Sequence, residues 1–348
     1  MSILAERVDV VIGVDTHTDT HSAALLSNAG AVLAETTVVA DDVGAAGLLA
    51  WADQHGSAGD RREWIIDGAR SHGVGLARVL LAAGEVVREA ARRPGTARRR
   101  AGKSDELDAI AAARTALTAA HVATPRSDGD REALRVLHVC RRHYTDTRTA
   151  TVNLLKSLIL TADDDLRGQL RRLNTTKQVR HLIRDTTEPA GDALTHIRRQ
   201  QLHALAHQIA ALDRTLADNL KQLRSLIKAL CPALLDQPGI GPVSAAIALT
   251  AWSHHGRLRH EAAFAALAGV NPIPASSGRN QRHRLNRGGD RNLNAALHTI
   301  AVNRSRHDPT TRAYIARRTA EGRTPNEITR CLKRYLARQL FRIMQATP

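Results

Sequence analysis

Three cysteines, two methionines and 2% Phe, Trp and Tyr are all that 348 residues contain of these types, and each shortage excludes something. Cys140, Cys231 and Cys331 are odd in number and far apart, so neither a disulfide framework nor a C-x-x-C zinc site is indicated. With so few aromatics, a row of rings stacking on unpaired bases is not the mode of recognition. No window approaches the roughly 18 uninterrupted apolar residues of a membrane span, and the opening MSILAERVDV lacks a basic-then-apolar signal pattern. The expectation is a cytoplasmic protein without a membrane partner.

Positive charge is what the chain has in excess. Lys and Arg number 50 against 34 Asp and Glu, a formal net charge of +16, and arginine dominates. That balance points to a polyanion, nucleic acid above all. The length allows two or three domains with a sizeable core.

The N-terminal part alternates between strand and helix patterns. VDVVIGV (residues 8–14) ends at Asp15, and HSAALLS and AVLAETTVV follow across short turns, which predicts a three-stranded meander. A helix over DVGAAGLLAWADQHG comes next, then a strand, EWIIDG, that delivers Asp67 at its end. Helix GVGLARVLLAAG and strand EVVREA lead into a basic segment where Arg98, Arg99, Arg100 and Lys103 read as phosphate contacts. The alanine-rich helix after it carries Asp105 and Asp108, three residues apart and so on one face.

Strand ends and an adjacent helix converge on one edge of an α/β sheet. Asp15, Asp67, Asp105 and Asp108 are therefore a candidate four-carboxylate cluster, and oxygen ligands suit Mg²⁺ or Mn²⁺. A blander reading makes Asp105 a helix cap, Asp108 a first-turn acid and Asp15 a turn residue. A rival metal set is the alternating Asp15, His17, Asp19 and His21, with mixed nitrogen and oxygen donors.

Near residue 120 the pattern becomes helical, after the break VATPRSDGDREA. Leu202, Leu205, Ile209, Leu212, Leu216, Asn219, Leu223, Leu226 and Leu230 are spaced three and four apart, a heptad seam with one polar member. It predicts a coiled coil between chains through residues 200–230, or a hairpin of helices within one chain. Three regions result: 1–120, 121–230 and 231–348.

In the third region Pro238-Gly239-Ile240-Gly241-Pro242 reads as a helix-hairpin-helix turn whose backbone, at Gly239 and Gly241, meets a phosphate. The stretch Asn271 to Asn292 sets Ser276 and Ser277 before Arg279, Arg282, Arg284, Arg287 and Arg291, with Gly278, Gly288 and Gly289 for close backbone approach. A nucleophile beside phosphate-binding groups is implied. An arginine-studded helical tail runs from Leu293 to Gln345 and reads as packing support plus phosphate contacts.

VIGVDTH, WIIDGARSHGVGLAR, GKSDELDA, PGIGPVSAA and AFAALAGVNPIPASSGRNQRHRLNRGGDRNLNAALHTIA, in this order, resemble the transposases and recombinases of the IS-one-ten type. That resemblance implies an α/β RNase-H-like (RuvC-like) first domain with a DEDD metal set at Asp15, Asp67, Asp105 and Asp108, a coiled-coil region, and a mainly α serine transposase domain. It further implies a DNA recombinase forming a covalent phosphoserine link through Ser277, with Ser276 as runner-up, guided by a structured bridge RNA and working as a dimer or tetramer. One departure stands out. The family has Glu then Gly/Ala-Thr-Gly where this chain has Asp67-Gly68-Ala69-Arg70, one methylene shorter. Two other readings remain: a metal-dependent nuclease or junction resolvase, and a non-catalytic nucleic-acid-binding protein.

Overall fold

The computed structural model describes residues 2–57, 59–91, 104–185, 192–275 and 283–347. The chain divides into two compact units, Met1–Arg126 and Ser127–Pro348.

The first unit is built on five strands. The meander is β1 (Val10–Thr16), β2 (Thr20–Ser27) and β3 (Val32–Val39); α1 (Asp42–His55), β4 (Arg62–Ile66), α2 (Val74–Ala82), β5 (Val87–Glu89) and α3 (Asp105–Leu117) follow. The sheet order is β3-β2-β1-β4-β5. β2 lies antiparallel to both β1 and β3, while β4 is parallel to β1 and β5 to β4. This mixed sheet with helices is compatible with an RNase-H-like domain. β1 is buried along its whole length because both faces are covered: Ile12, Val14, Leu25, Trp64 and Ile66 pack towards α1 and α2, whereas Val11, Ala24, Leu26 and Ile65 pack towards α3. Buried on both sides, it loses the alternation of a half-exposed strand and reads as a continuous apolar run.

In the second unit, α4 (Asp130–Leu160), α5 (Asp164–Leu170), α6 (Thr175–Arg184) and α7 (Ala193–Leu230) come first. After a short 3₁₀ turn come α8 (Pro242–Trp252), α9 (Glu261–Leu267), the two-residue strands β6 (Ile273–Pro274) and β7 (His283–Arg284), then α10 (Arg291–His307), α11 (Pro309–Ala320) and α12 (Pro325–Ala346). The helical tail read from the sequence is thus three helices, broken at Asp308-Pro309 and at Gly322 to Pro325. Proline at the first helical position lacks an N–H that a continuing helix would need, and Asp308 and Thr324 cap the helices that restart.

α4 and α7 run antiparallel and share two cores. Leu134 near the start of α4 meets Leu223 and Ile227 near the end of α7, within a core completed by α8, α9, α10 and α12. At the other end Val152, Leu155 and Ile159 meet Leu202, Ala206 and Ile209, with α5 and α6 closing over them. Both ends of the heptad stripe are therefore packed inside the chain, as the hairpin alternative has it, while Leu212 and Leu216 between them are half-buried and belong to neither core.

Between the cores the contacts turn polar. Asn219 is buried, donates through Nδ2 to the Leu137 carbonyl at 3.0 Å, and accepts from Arg141 at 3.3 Å; Arg148 pairs with Asp213. Asn219→Ala leaves Arg141 the Leu216 carbonyl but removes two hydrogen bonds from a dry position. Urea titration is expected to register a loss of about 1–2 kcal/mol, with the sedimentation mass unchanged.

Candidate functional site

Asp15 ends β1 one residue before Thr16, and the chain then turns through His17 into β2. The carboxylate is largely buried, 12% exposed. Asp67 follows β4 directly. Its N–H donates to the Val14 carbonyl at 2.9 Å, one rung beyond the ladder of β1 and β4, and its own carbonyl accepts from Thr16 Oγ1 at 2.6 Å. Gly68 then reverses the chain at φ +74°, and a Cβ there would stand 2.7 Å from Thr16 Oγ1. Only glycine fits that corner.

α3 brings the other two aspartates. Its N-cap is Ser104, which accepts from the Leu107 N–H at 3.3 Å, so Asp105 is not the cap and its carboxylate is free to serve the site. Asp105, Glu106 and Asp108 lie in the first turn, where the helix dipole favours negative charge. What seats α3 is Gly13. A Cβ on Gly13 would fall 2.1 Å from the Ala109 carbonyl oxygen and 3.0 Å from the Ala113 Cβ, so backbone rests on backbone one turn from Asp105.

These elements bring Asp15, His17 and Asp105 together, with one ligand atom from each lying within 4.8 Å of the others. His17 Nε2 is 3.1 Å from Asp15 Oδ2 and 3.2 Å from Asp105 Oδ1. Burial pushes the Asp15 carboxyl above its ordinary range; His17 opposes that shift, and Asp108 and Asp67 add to it. Asp67 and Asp108 are thus near enough for their charge to be felt at Asp15. Carboxylates whose charges act on one another are relieved by a cation, and the mutual spacing suits ligands of one ion bound at about 2.0–2.2 Å. The residues fit a divalent metal.

His17 is an imidazole beside the carboxylates that the four-aspartate reading did not include, and of the rival set Asp15 and His17 lie in the cluster. His21 is buried, its Nδ1 directed to the Thr20 carbonyl at 3.0 Å, and burial lowers its pKa. Asp19 lies in the turn outside the cluster.

A cavity of about 560 Å³ lies at the opposite edge of the sheet, lined by Val10, Asp53, Arg62 and Glu85. Arg62 there already pairs with Glu85 and Asp53, so its charges are matched.

In the second unit the turn of Pro238 to Pro242 follows a 3₁₀ turn, Pro232–Leu234, rather than a helix, and it docks on α10. The Pro238 carbonyl accepts from Arg304 at 2.8 Å, and a Cβ on Gly239 would meet Arg304, Asn303 and Ile300 at 3.1–3.3 Å. Close approach at Gly239 is thus to this chain's own helix, while Gly241, exposed, precedes α8 as its N-cap. Gly289 behaves alike: an added Cβ would stand 2.2 Å from the Gly269 nitrogen, so its freedom serves packing and not a ligand. Arg284 lies on β7, Arg287 in the loop after it and Arg291 at the first position of α10, all exposed. Ser276, Ser277, Gly278, Arg279 and Arg282 lie outside the described residues, as do Arg98, Arg99, Arg100 and Lys103.

Known proteins can be set beside this geometry. A transposase family model of the DEDD IS110 type matches residues 12–162, which contain all four aspartates, and the model of the transposase IS116/IS110/IS902 family matches residues 231–316. The chain belongs to the IS110 family of transposases. Among curated relatives, an uncharacterized 43.6 kDa protein of insertion element IS110 from Streptomyces coelicolor is 31% identical over 127 residues. That alignment takes in 36% of this chain and spans about a third of the relative's length, 31%. DEDD membership accords with use of a divalent metal at the acidic cluster, whose identity as Mg²⁺ or another ion the family does not specify. No helix among the described residues is long and apolar enough to cross a membrane. His17 was legible only as part of the rival pattern; its strand-turn position two residues after Asp15 was the available signal.

Proposed function

We propose that this chain is a DNA transposase that cuts and rejoins strands for a mobile insertion sequence. The observation that carries the reading is the convergence of Asp15, His17 and Asp105, with Asp67 and Asp108 acting on Asp15, in a chain of this family. The sheet order supports an RNase-H-like, RuvC-like domain over residues 1–120. Residues 121–230 are a helical connection and 231–348 a serine transposase domain.

Asp15, Asp67, Asp105 and Asp108 would hold Mg²⁺ or Mn²⁺, with His17 in reach. A cation bound there would supply a Lewis acid for a phosphate oxygen and lower the pKa of an attacking hydroxyl. The chain's own nucleophile is Ser277. Its Oγ forms a bond to phosphorus as the bond to one bridging oxygen breaks; the proton given up by the serine is balanced by the one the leaving hydroxyl takes up. The phosphodiester persists as a phosphoserine, so rejoining needs no external energy source. Arg279, Arg282 and Arg284 offset the charge of the pentavalent arrangement.

Donor and target DNA are the substrates, and a structured bridge RNA selects them by base pairing. Two or four copies assemble on them, with the middle of the heptad stripe at Leu212 and Leu216 the part of residues 200–230 left outside the chain's own cores.

A trapping experiment tests the reading. With element-end DNA, the flanking transcript and Mg²⁺ or Mn²⁺, a covalent protein–DNA adduct is expected on a denaturing gel, absent in Ser277→Ala, kept in Ser276→Ala and abolished by EDTA. Free cut ends without an adduct would instead mark a hydrolytic nuclease, a reading favoured by the acidic cluster lying wholly within the first unit.

A further inference from the structure

The second unit contains a cleft of about 1120 Å³ between the loop that leads into α10 and one side of α12. Its floor is rigid. Asn286 donates to Asn271 at 2.7 Å, Asn294 donates to the Ala268 carbonyl at 2.7 Å, and Gly289 lies directly on Gly269.

Its walls are cationic. Arg284, Arg287 and Arg291 stand on one side; Arg330, Lys333 and Arg334 come from α12 on the other. Glu327 also lines the cleft, where it pairs with Arg323 and feels the charge of Arg330; among the described residues the other five cations pair with no carboxylate, although elsewhere in the unit arginines find acids, as Arg338 and Arg342 do with Glu261. Lys333 is half-buried with Asn294 Oδ1 as its partner, and burial lowers its pKa. Holding six cations together with one acid among them costs electrostatic energy that an anion recovers.

We propose that α12 forms the second wall of a binding channel for a nucleic-acid phosphodiester backbone, with Lys333 as its fixed inner contact and Arg330 and Arg334 as its outer ones. The channel rests on the proposed function only for the class of its ligand. It assigns a binding role to residues beyond the segment that the C-terminal family model matches, which ends at residue 316. The chemistry is shared by DNA and RNA backbones, and the test separates them.

The full chain is titrated into labelled 25-nucleotide single-stranded DNA, its duplex and the same sequence as RNA, with anisotropy read over a range of KCl. Arg330→Gln/Arg334→Gln is compared with Arg171→Gln/Arg172→Gln, which removes equal charge from the exposed end of α5. Loss of two phosphate contacts weakens binding about 15- to 30-fold at roughly 0.15 M salt and lowers the salt slope by about 1.4–1.8. The comparison variant is expected to stay within about twofold of wild type. The ligand whose affinity drops most is the source. Equal losses in both variants would reduce the effect to net charge and overturn the channel, as would no binding of any probe by the wild type.

A second measurement needs no variant: phenylglyoxal labelling of Arg330 and Arg334, read by mass spectrometry, should fall when the preferred nucleic acid is present. Unchanged labelling overturns the proposal. If these arginines are protected while no adduct forms at Ser277, the channel stands and the recombinase reading falls; an adduct with unprotected arginines gives the reverse.

Discussion

Asp15→Asn should abolish metal-dependent strand cleavage and leave the fold at least as stable as before. Asp15 is the most buried carboxylate of the cluster, adjoining His17 and feeling the charge of both Asp67 and Asp108. Removing its charge forfeits on the order of 4 kcal/mol of transition-state stabilisation, about a thousandfold in rate. The effect on stability has the opposite sign. Burial raises the folded-state pKa above the unfolded value of about 3.9, so the native state holds the proton more tightly, and the ionised carboxylate destabilises the fold at neutral pH. In buffer without divalent ions the variant is therefore expected to melt no lower than wild type at pH 7, with the difference vanishing as the pH falls below about 4.

Adding Mn²⁺ or Mg²⁺ reverses the order. Wild type gains about 1.4 kcal/mol at tenfold excess over Kd, a shift of a few degrees, and the variant gains much less. A wild type that does not respond to either ion in differential scanning calorimetry would remove the metal from the site.

Gly13→Ala should be among the most damaging single methyl groups in the first unit, and the one that bears on the acidic cluster. Its Cβ would have to occupy space 2.1 Å from the Ala109 carbonyl oxygen, and backbone cannot swing aside as a side chain can. Either β1 or α3 moves, at a cost of about 3 kcal/mol, the upper end for overpacking. Because Asp105 and Asp108 ride on the first turn of α3, activity falls even at temperatures where the variant is folded. Gly47→Ala is the matched comparison. Gly47 sits within α1 with nothing inside 4 Å of the added carbon, so the same substitution is expected to stabilise by about 0.5–1 kcal/mol. Thermal melts of the two, beside a cleavage assay, separate displacement of α3 from a general glycine effect.

These two predictions also mark what could be read in advance. The strands were legible because β1, β2 and β3 are apolar runs bounded by turn residues, and the helices because their caps and alanines are local signals. Where local sequence decides, the sequence speaks. Gly13 looked like an ordinary residue inside an apolar run, since nothing in its neighbourhood says that a helix some 96 positions later will press on it. The heptad stripe was read correctly as a stripe, yet whether α4 or a second chain covers it depends on partners the pattern does not name. Lys333 was one cation among many in a basic tail. Its distinction arises only when α12 folds back beside Asn294, 39 positions earlier. The hairpin glycine Gly239 shows the opposite case: the tight turn was legible, but the surface it approaches is α10.

The paired α4 and α7 carry a further consequence. α7 alone has 38 residues, a rod of about 57 Å. Its two ends are locked into separate cores while its middle is bridged by polar contacts, so it keeps the small helices α5 and α6 at a set distance from the arginine-lined cleft. The rod is in effect a strut, and removing two turns from both of its helices would draw the two cores together while leaving the residues of each unchanged.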